Sequence, residues 1–501
     1  MPLDCKLLLD SVFDEEFGLR LSNFSIKPVH VANGLCRALT GRTYETVALN
    51  KSFRRYVRNQ KLGVDQERNP NSSVLAQFGQ AFQALHGTAP NERSLTRLRA
   101  LALDVFGADD GVYEQPDKSS FTLSNERFAT RDPSDMRAGA FLSKLLTVIP
   151  KLGTDAADVL RLLLSTETDA WTTLALPLLA IGNVREESEG SESAMRAAKS
   201  EHLFESVQGH FMSPTLGGLR SALDRLGRFE RTSGSKLNSL RRLVLFGCFA
   251  IHVHVVSRWS ERSTQAPRPA MLFDMHDGTV TSVRDASRST LRASGDAIEG
   301  LIRMRLKETV ASEFGSTARA LEKAISGSGK SQTLQTTFHN YLAGGVEATE
   351  ALSHAIADEA FAANGEHPIG ALVELGRRAG FLSPWSNQGR GGKLHKRYTA
   401  TAEFLETLVA ATVEPEEPLE FPEFLARVRD SYGIVFGRPE DDVAIRENNL
   451  RGGQFGPPTS INEEDLRHNT EQMRRLVVES GYGKAYADGR TLVTTRLQGS
   501  L

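Results

Sequence analysis

The sequence has few cysteines and no excess of either charge. Its 501 residues include only Cys5, Cys36 and Cys248, which are far apart and form no CxxC or Cys/His spacing. They therefore exclude a disulfide framework and a zinc site built from cysteine, and we expect a reducing, cytoplasmic location. The 60 Lys and Arg residues are balanced by 62 Asp and Glu residues, which excludes a uniformly basic binder of the histone type.

Targeting signals and long apolar runs are also missing. Residues 1–10 include the acid Asp4 and only three consecutive leucines, whereas a signal peptide needs a basic start and roughly 7–15 apolar residues. The longest apolar stretches, residues 174–181 and 243–256, are shorter than the about 20 residues that cross a membrane. We therefore expect two buried core helices, no secretion and no contact with a membrane.

What the sequence does contain is the composition of a folded protein, with 40% hydrophobic and 24% charged residues. Apolar residues recur at helical spacing from about 136 to 260, and an amphipathic pattern predicts one long helix over 287–326. We expect a mainly α, multidomain protein. Its first two parts are a mostly helical N-terminal domain over 1–115 and a central helical core over 116–330, with a short β-containing insertion near 268–282.

After Ser331 the pattern changes to short helices separated by glycine-rich or charged hairpins. Helices are predicted at 334–342, 346–363, 368–379, 402–413, 421–430 and 463–480. A hairpin with a glycine-rich tip and a return arm at 394–401 follows the third helix, and a hairpin with an Asp488-Gly489 turn follows the last. Three helices with a hairpin behind the third resemble a winged helix-turn-helix domain. The resemblance implies winged-helix-like α+β units at 331–415 and 416–501, in which the third helix can enter a DNA groove and the hairpin can touch the backbone.

Cations are concentrated in two places that suit the phosphates of a nucleic acid. Residues 377–397 contain no acid. Their basic residues are Arg377, Arg378, Arg390, Lys393, His395, Lys396 and Arg397. A predicted helix places Lys51, Arg54, Arg55 and Arg58 on one face. Each neutralised phosphate releases counterions, so such binding falls steeply with salt. Both sets also suit a solvated surface, which is the commoner outcome for the second set, and the first set suits a contact with the acid-rich residues 414–423 as well.

A third basic set is looser, because Asp224 and Glu230 dilute it. Its members are Arg225, Arg228, Arg231, Lys236, Arg241 and Arg242. Since the whole chain is slightly acidic, several basic clusters imply compensating acidic surfaces. A divided charge distribution of this kind suits docking to proteins as much as to nucleic acids.

Two catalytic patterns each lack a requirement. Gly327-Ser-Gly-Lys-Ser331 resembles part of a phosphate-binding P-loop, but residue 324 is Ala instead of Gly and a helical pattern precedes it where a strand is needed. We expect a linker there. The side chains of His252, His254, Asp274 and His276 are acceptable metal ligands, yet on a helix the first two lie about 200° apart.

These observations favour binding over catalysis. The expected function is a non-catalytic, nucleic-acid-binding and partner-docking subunit of a bacterial DNA-handling complex, with anti-phage defence as one such setting. We expect no catalytic residue, metal or cofactor, with nucleic acid (DNA before RNA) and partner proteins as ligands and an oligomer compatible with the sequence. The alternatives are a pure protein–protein scaffold, and a metal-dependent hydrolase or nuclease that uses His252, His254, Asp274 and His276.

Overall fold

The computed structural model confirms a mainly α-helical, multidomain protein with few, short strands. It describes residues 3–21, 26–43, 72–91, 93–94, 97, 125–147, 154–178, 185–186, 201–207, 210–211, 213–263, 268–326, 331–362, 369–383, 396–441, 445 and 462–495. Residue contacts divide the chain into two compact units. The first unit comprises Met1–Ser25, Ser193–Ala222 and Phe249–Leu501, and the second comprises Ile26–Glu192 and Leu223–Cys248. The four consecutive domains expected from the sequence stay a prediction.

The helices of the first half are α1 (Cys5–Glu16), α2 (Pro28–Thr40), α3 (Ser72–His86), α4 (Ala138–Thr147), α5 (Asp155–Ser165), α6 (Ala170–Ala175), α7 (Pro214–Arg231) and α8 (Lys236–Arg262). The second half contains α9 (Thr281–Phe314), α10 (Ala318–Ser326), α11 (Ser331–Ala343), α12 (Ala348–Ala362), α13 (Gly370–Ala379), α14 (Ala402–Thr412), α15 (Phe421–Tyr432) and α16 (Glu463–Glu479). The strands are β1 (Arg42–Thr43), β2 (Arg185–Glu186), β3 (Ser206–Val207), β4 (His210–Phe211), β5 (Met271–Leu272), β6 (Leu419–Glu420), β7 (Ile434–Val435), β8 (Gly483–Ala485) and β9 (Thr491–Val493).

The second unit is built around the close packing of α2 on α4. Gly139 lies against the backbone of α2, and a Cβ on Gly139 would lie 2.2 Å from the carbonyl carbon of Gly34. Buried Asn33 donates to the carbonyl of Thr130 at 3.0 Å and accepts from its N–H at 2.9 Å. Position 139 therefore requires glycine, because any side chain there would push the two helices apart.

Helix α8 is the most apolar of the long helices. Among the described residues it is the one helix long and apolar enough to cross a membrane, and 94% of its apolar window is buried inside the structure. The sequence predicted a buried core helix over residues 243–256, and each of those residues is buried. A helix that is apolar on all sides is typical of a protein interior.

A buried carboxylate holds α1 against the rest of the first unit. Glu16 is 0% exposed, and guanidinium groups reach it from Arg258 at 3.0 Å, Arg262 at 2.6 Å and Arg305 at 2.8 Å. Burial alone would raise the pKa of Glu16, but the hydrogen bond from Arg262 and the three cationic charges lower the pKa below its ordinary value. The carboxylate of Glu16 is therefore ionised inside the protein, and it forms ion pairs with the three arginines.

The predicted long helix over 287–326 is two helices. Helix α9 begins earlier, at Thr281, and ends at Phe314, where Gly315 takes a positive φ of +83°. Helix α10 then begins at Ala318. Glycine ends the first helix because it adopts positive φ without steric cost, and the amphipathic pattern continued across the break because both helices bury an apolar face.

The described part of the last 100 residues combines helices with a small sheet, and the winged-helix resemblance of this segment stays a prediction. Helices α14, α15 and α16 accompany a three-stranded antiparallel sheet of order β6–β9–β8. Strand β6, between the first two helices, therefore pairs with β9, the second arm of the hairpin that follows the third helix. The first of these helices, α14, lies upstream of the expected boundary near 416. In the preceding segment, helices α11, α12 and α13 are followed by an antiparallel bridge between Leu382 and Tyr398.

An aromatic core lies beneath both arrangements in the first unit. The ring centroid of Phe249 lies 5.3 Å from that of Phe381, 5.1 Å from that of Phe404 and 5.8 Å from that of Tyr432. The ring of Phe273 stacks on that of Tyr398, with 5.6 Å between the ring centroids. Strand β5 brings Phe273 to this place by pairing in parallel with β7, in the register Met271 to Ile434 and Leu272 to Val435. Residues far apart in sequence therefore share one core at the base of the first hairpin.

Candidate nucleic-acid interface

The first hairpin has a firmly built stem. Helix α13 ends at Ala379 and is capped by Gly380, whose φ is +86°, and the chain then passes through Leu382 and Ser383. Leu382 bridges to Tyr398, and the N–H of Ser383 donates to the carbonyl of Arg397 at 3.0 Å. The segment 384–395 therefore begins and ends at one place. That segment lies outside the described residues and contains Trp385, Arg390, Lys393 and His395.

The two cations at the end of α13 share one acid of the same helix. Arg377 Nη2 and Arg378 Nε each lie 2.9 Å from a carboxylate oxygen of Glu374. Their side chains are only 12% and 10% exposed. The spacing of three and four residues along a helix brings these side chains together. Both guanidinium groups are therefore engaged within the protein. The signal for this pairing was available in the sequence, because Glu374 lies just before the acid-free stretch.

Lys396 is buried within the stem. It is 2% exposed, and its Nζ donates to the carbonyl oxygen of Ser383 at 3.0 Å. The pKa of Lys396 is lowered to about 8, chiefly by burial and then by the charges of Arg377 and Arg397, against the opposing effect of Glu374. The ammonium group of Lys396 therefore joins the two strands of the stem by a hydrogen bond and is buried from solvent.

Arg397 connects the stem to the loop after β5. Its Nε lies 2.6 Å from Oδ2 of Asp274, and its Nη2 lies 2.9 Å from Oδ1 of Asp277. The side chain of Asp274 is fully buried, whereas that of Asp277 is 87% exposed. The sequence placed Asp274 in a hypothetical metal cluster, but in the structure this carboxylate is the counter-ion of Arg397.

The predicted interface thus divides into two groups. The four described members of the first basic set, Arg377, Arg378, Lys396 and Arg397, lie together at the stem and are bound to groups of the protein itself. The members Arg390, Lys393 and His395 lie outside the described residues, as does the whole second set of Lys51, Arg54, Arg55 and Arg58. Their role in binding stays a prediction.

The third basic set is also paired internally. Arg228 and Arg231 both contact the carboxylate of Asp155. Lys236 Nζ lies 2.8 Å from Asp169. Arg242 and Glu230 form a buried two-point pair with N–O distances of 2.5 and 2.8 Å. Glu230, one of the two acids that dilute this set in the sequence, is therefore the ion-pair partner of Arg242.

The histidines of the hypothetical metal site bind different neighbours. Nε2 of His252 lies 2.9 Å from the hydroxyl of Tyr398, and Nε2 of His254 lies 3.2 Å from the carbonyl of Phe17. Burial lowers the pKa of both imidazoles to about 3, so both are neutral at physiological pH. In the part of the chain that the structure describes, no three His, Cys, Asp or Glu side chains form a group that could hold a metal ion. The metal-dependent alternative has no geometric support there.

The P-loop-like segment lies between two helices. Helix α10 ends at Ser326 and α11 begins at Ser331, while residues 327–330 lie outside the described residues. A phosphate-binding loop must follow a strand, and a helix stands there instead. The expectation of a helix-terminating linker agrees with these helix bounds.

Comparison with known proteins gives no relative: no protein-family model, curated protein or solved structure matches this chain.

Proposed function

We propose that this protein is a non-catalytic subunit that binds the phosphate backbone of a nucleic acid, DNA in the first instance, and docks a partner protein. The observation that supports the proposal is the closed stem of the first hairpin. It joins both ends of a segment, residues 384–395, that contains Arg390, Lys393 and His395 and no acid. A segment of this composition attracts polyanions, because each cation that meets a phosphate releases condensed counterions.

The stem has a supporting role in this proposal. Arg377, Arg378 and Lys396 are engaged with Glu374 and with the carbonyl of Ser383, so they anchor the segment and do not add freely available charge. The phosphate contacts are assigned to the acid-free segment and to Lys51, Arg54, Arg55 and Arg58.

Any chemistry is assigned to a partner subunit. The two catalytic patterns of the sequence each miss a requirement, and a polarised charge distribution suits docking of proteins. A cytoplasmic DNA-handling assembly of bacteria, such as one for defence against phage, is the setting that we propose for this subunit.

A salt titration tests the proposal directly. The affinity for a short duplex and for a single strand is measured by fluorescence anisotropy between about 50 and 200 mM salt, over which a protein that neutralises many phosphates loses several orders of magnitude. Changing both Arg390 and Lys393 to Ala removes up to two cation–phosphate pairs. The slope of log K against log salt should therefore become shallower by about 0.9 for each phosphate that is no longer neutralised.

The control removes the same charge from the second hairpin. Lys484 and Arg490 are exposed on the hairpin of β8 and β9, and both are changed to Ala. Equal reductions of affinity in the two double variants would mean that binding follows net charge alone. No binding by the wild-type protein at the lowest salt would contradict the proposal.

The internal pairing of the stem favours a second candidate, a protein–protein scaffold. Arg377, Arg378 and Arg397 contact acids of the protein itself, as they would in a module that only packs. Winged-helix-like units often bind proteins. If the titration shows no nucleic-acid binding and the hairpin variants keep the same unfolding transition, the scaffold hypothesis replaces the first.

A further inference from the structure

Three arginines from two segments lie near the foot of the first hairpin. Arg397 belongs to the stem, while Arg284 and Arg288 lie one turn apart on α9. The hydroxyl of Ser287 donates to the carbonyl of Tyr398 at 3.1 Å, which sets this turn of α9 against the end of the stem. The side chains of Arg284 and Arg288 are 30% and 28% exposed, so both reach solvent.

The three guanidinium groups pair with three carboxylates, those of Asp285, Asp274 and Asp277, and of these only that of Asp274 is fully buried. One carboxylate oxygen of Asp285 accepts from Arg284 Nε and from Arg288 Nη1, each at 3.1 Å. Burial lowers the pKa of Arg288, and the charges of Arg284 and Arg397 lower it against the opposing effect of Asp285. Arg288 therefore lies close enough to Arg284 and Arg397 for both charges to act on it.

The two acids on Arg397 differ in how firmly they are held. Asp274 is buried and bonds the inner Nε, whereas Asp277 is exposed and bonds the outer Nη2. An exposed ion pair contributes little to stability, because water screens it. The turn at Asp277 and Gly278 has φ values of +51° and +79°, and a Cβ on Gly278 would lie 3.0 Å from the guanidinium carbon of Arg397. The exposed carboxylate therefore covers the outer edge of a well-positioned arginine.

We propose that Arg284, Arg288 and Arg397 form a phosphate-binding site at the foot of the first hairpin, and that Asp277 occupies the outer edge of Arg397 until a phosphate displaces it. This inference rests on the proposed function and adds a described site to it. A phosphate presents several acceptor oxygens and more charge than one carboxylate, so it can pair with several guanidinium groups together. Asp277 lowers affinity by competition and by repulsion.

The test is a substitution that should strengthen binding. Asn adopts the left-handed backbone of residue 277 as readily as any residue but glycine, so Asp277→Asn removes the charge and keeps the turn. We expect affinity for a short DNA duplex to rise about threefold to fivefold near 0.1 M salt, the scale of an exposed ion pair. A gain of affinity is a readout that a purely structural role of Asp277 would not produce.

The second hairpin supplies a matched control. Asp488 also precedes a glycine in a tight turn, pairs with an arginine, Arg490, and is exposed. Asp488→Asn changes net charge equally and should leave affinity unchanged. Arg288→Ala combined with Asp277→Asn should remove the gain. Where the wild-type protein binds the duplex, equal gains by both Asn variants, or no gain by either, would show that the inference is wrong.

A second probe separates failure of this site from failure of the proposed function. Thermal unfolding is followed with and without inorganic tripolyphosphate at constant ionic strength. If the wild-type protein binds no DNA but tripolyphosphate stabilises Asp277→Asn more than the wild type, and Arg288→Ala removes that difference, the anion site stands and the nucleic-acid function does not. If DNA binds and neither probe responds to Asp277→Asn, the function stands and this site is refuted.

Discussion

The two hairpins of the first unit contain similar residues in opposite environments. In the first, Lys396 is 2% exposed and Arg397 reaches back more than 100 residues to Asp274. In the second, Lys484, Tyr486 and Arg490 are exposed, Arg490 pairs with Asp488 two residues away at 2.7 Å, and Lys484 lies 5.3 Å from the ring centre of Tyr486. Both hairpins lie behind the third helix of a three-helix group.

The difference is caused by what packs on each hairpin. The stem of the first is covered by the loop after β5, where the N–H of Asp274 donates to the carbonyl of Tyr398 at 3.0 Å and Thr399 Oγ1 donates to the carbonyl of Asp274 at 3.0 Å. The tip of the second has no such cover among the described residues, since positions 484–490 are all exposed. A count of cations in sequence therefore does not predict which of them meet solvent.

The largest expected effect comes from removing the inner ion pair of the first stem. Arg397→Met leaves the buried carboxylate of Asp274 without its guanidinium, and we expect the free energy of unfolding to fall by about 3–5 kcal/mol. Arg490→Met in the second hairpin removes only an exposed pair and should cost less than about 0.5 kcal/mol. Urea unfolding measures both. Equal reductions would show that the two hairpins do not differ as described.

The glycines of the two hairpins test the same difference in packing, with smaller expected changes in the free energy of unfolding. Gly380 and Gly489 have φ values of +86° and +84°. A Cβ on Gly380 would lie 2.2 Å from Oγ1 of Thr401, which accepts from Phe404 N and caps α14, whereas a Cβ on Gly489 meets nothing within 4 Å. We expect Gly489→Ala to cost about 1 kcal/mol from backbone strain and Gly380→Ala about 2–3 kcal/mol, because it also disturbs the cap.

A double-mutant cycle isolates the second contribution. In a Thr401→Ala background the cap is already absent, so the added cost of Gly380→Ala should fall toward that of Gly489→Ala. If the cost of Gly380→Ala is unchanged in that background, the clash with Thr401 is not its cause.

A further expected difference is a pH dependence of stability that comes from Lys396. Its pKa is lowered from 10.5 to about 8 in the folded protein. Between these values the unfolded chain keeps a proton that the folded chain has released, so the unfolding free energy rises with pH across this window. Relative to Lys396→Met, the wild-type protein should therefore gain stability from about pH 8 to pH 10. A relative loss for the wild type, or no relative gain, would contradict the burial of Lys396.

Local structure followed closely from the sequence in the C-terminal third. The helix expected at 402–413 is α14, the one at 421–430 is α15, and the one at 463–480 is α16, each within two residues of the predicted bounds. The Asp488-Gly489 turn is present, with Tyr486 N–H donating to the carbonyl of Arg490 at 2.9 Å. These features depend on apolar spacing, capping residues and turn residues, which act over a few positions of the chain.

The parallel pairing of β5 with β7 had no signal in the sequence. Each strand has two residues, and the pair joins positions 271–272 to 434–435. So short a strand has no periodicity, and nothing local indicates a partner about 160 residues away. The loop after β5 places Asp274 beside Arg397. Because this placement depends on the pairing of β5 with β7, the candidate site was the least predictable part of the molecule.

The sequence by itself determined that this chain is mainly helical, where most of its C-terminal helices lie, and that cations gather around a glycine-rich hairpin. Tertiary structure decided what those cations do. Arg377 and Arg378 are satisfied by Glu374 within about one helix turn, whereas Lys396 and Arg397 are satisfied by groups that only the folded chain brings near. The physical reason is that the cost of removing a charge from water is set by burial and by the distance to an opposite charge, and both are properties of the packed chain.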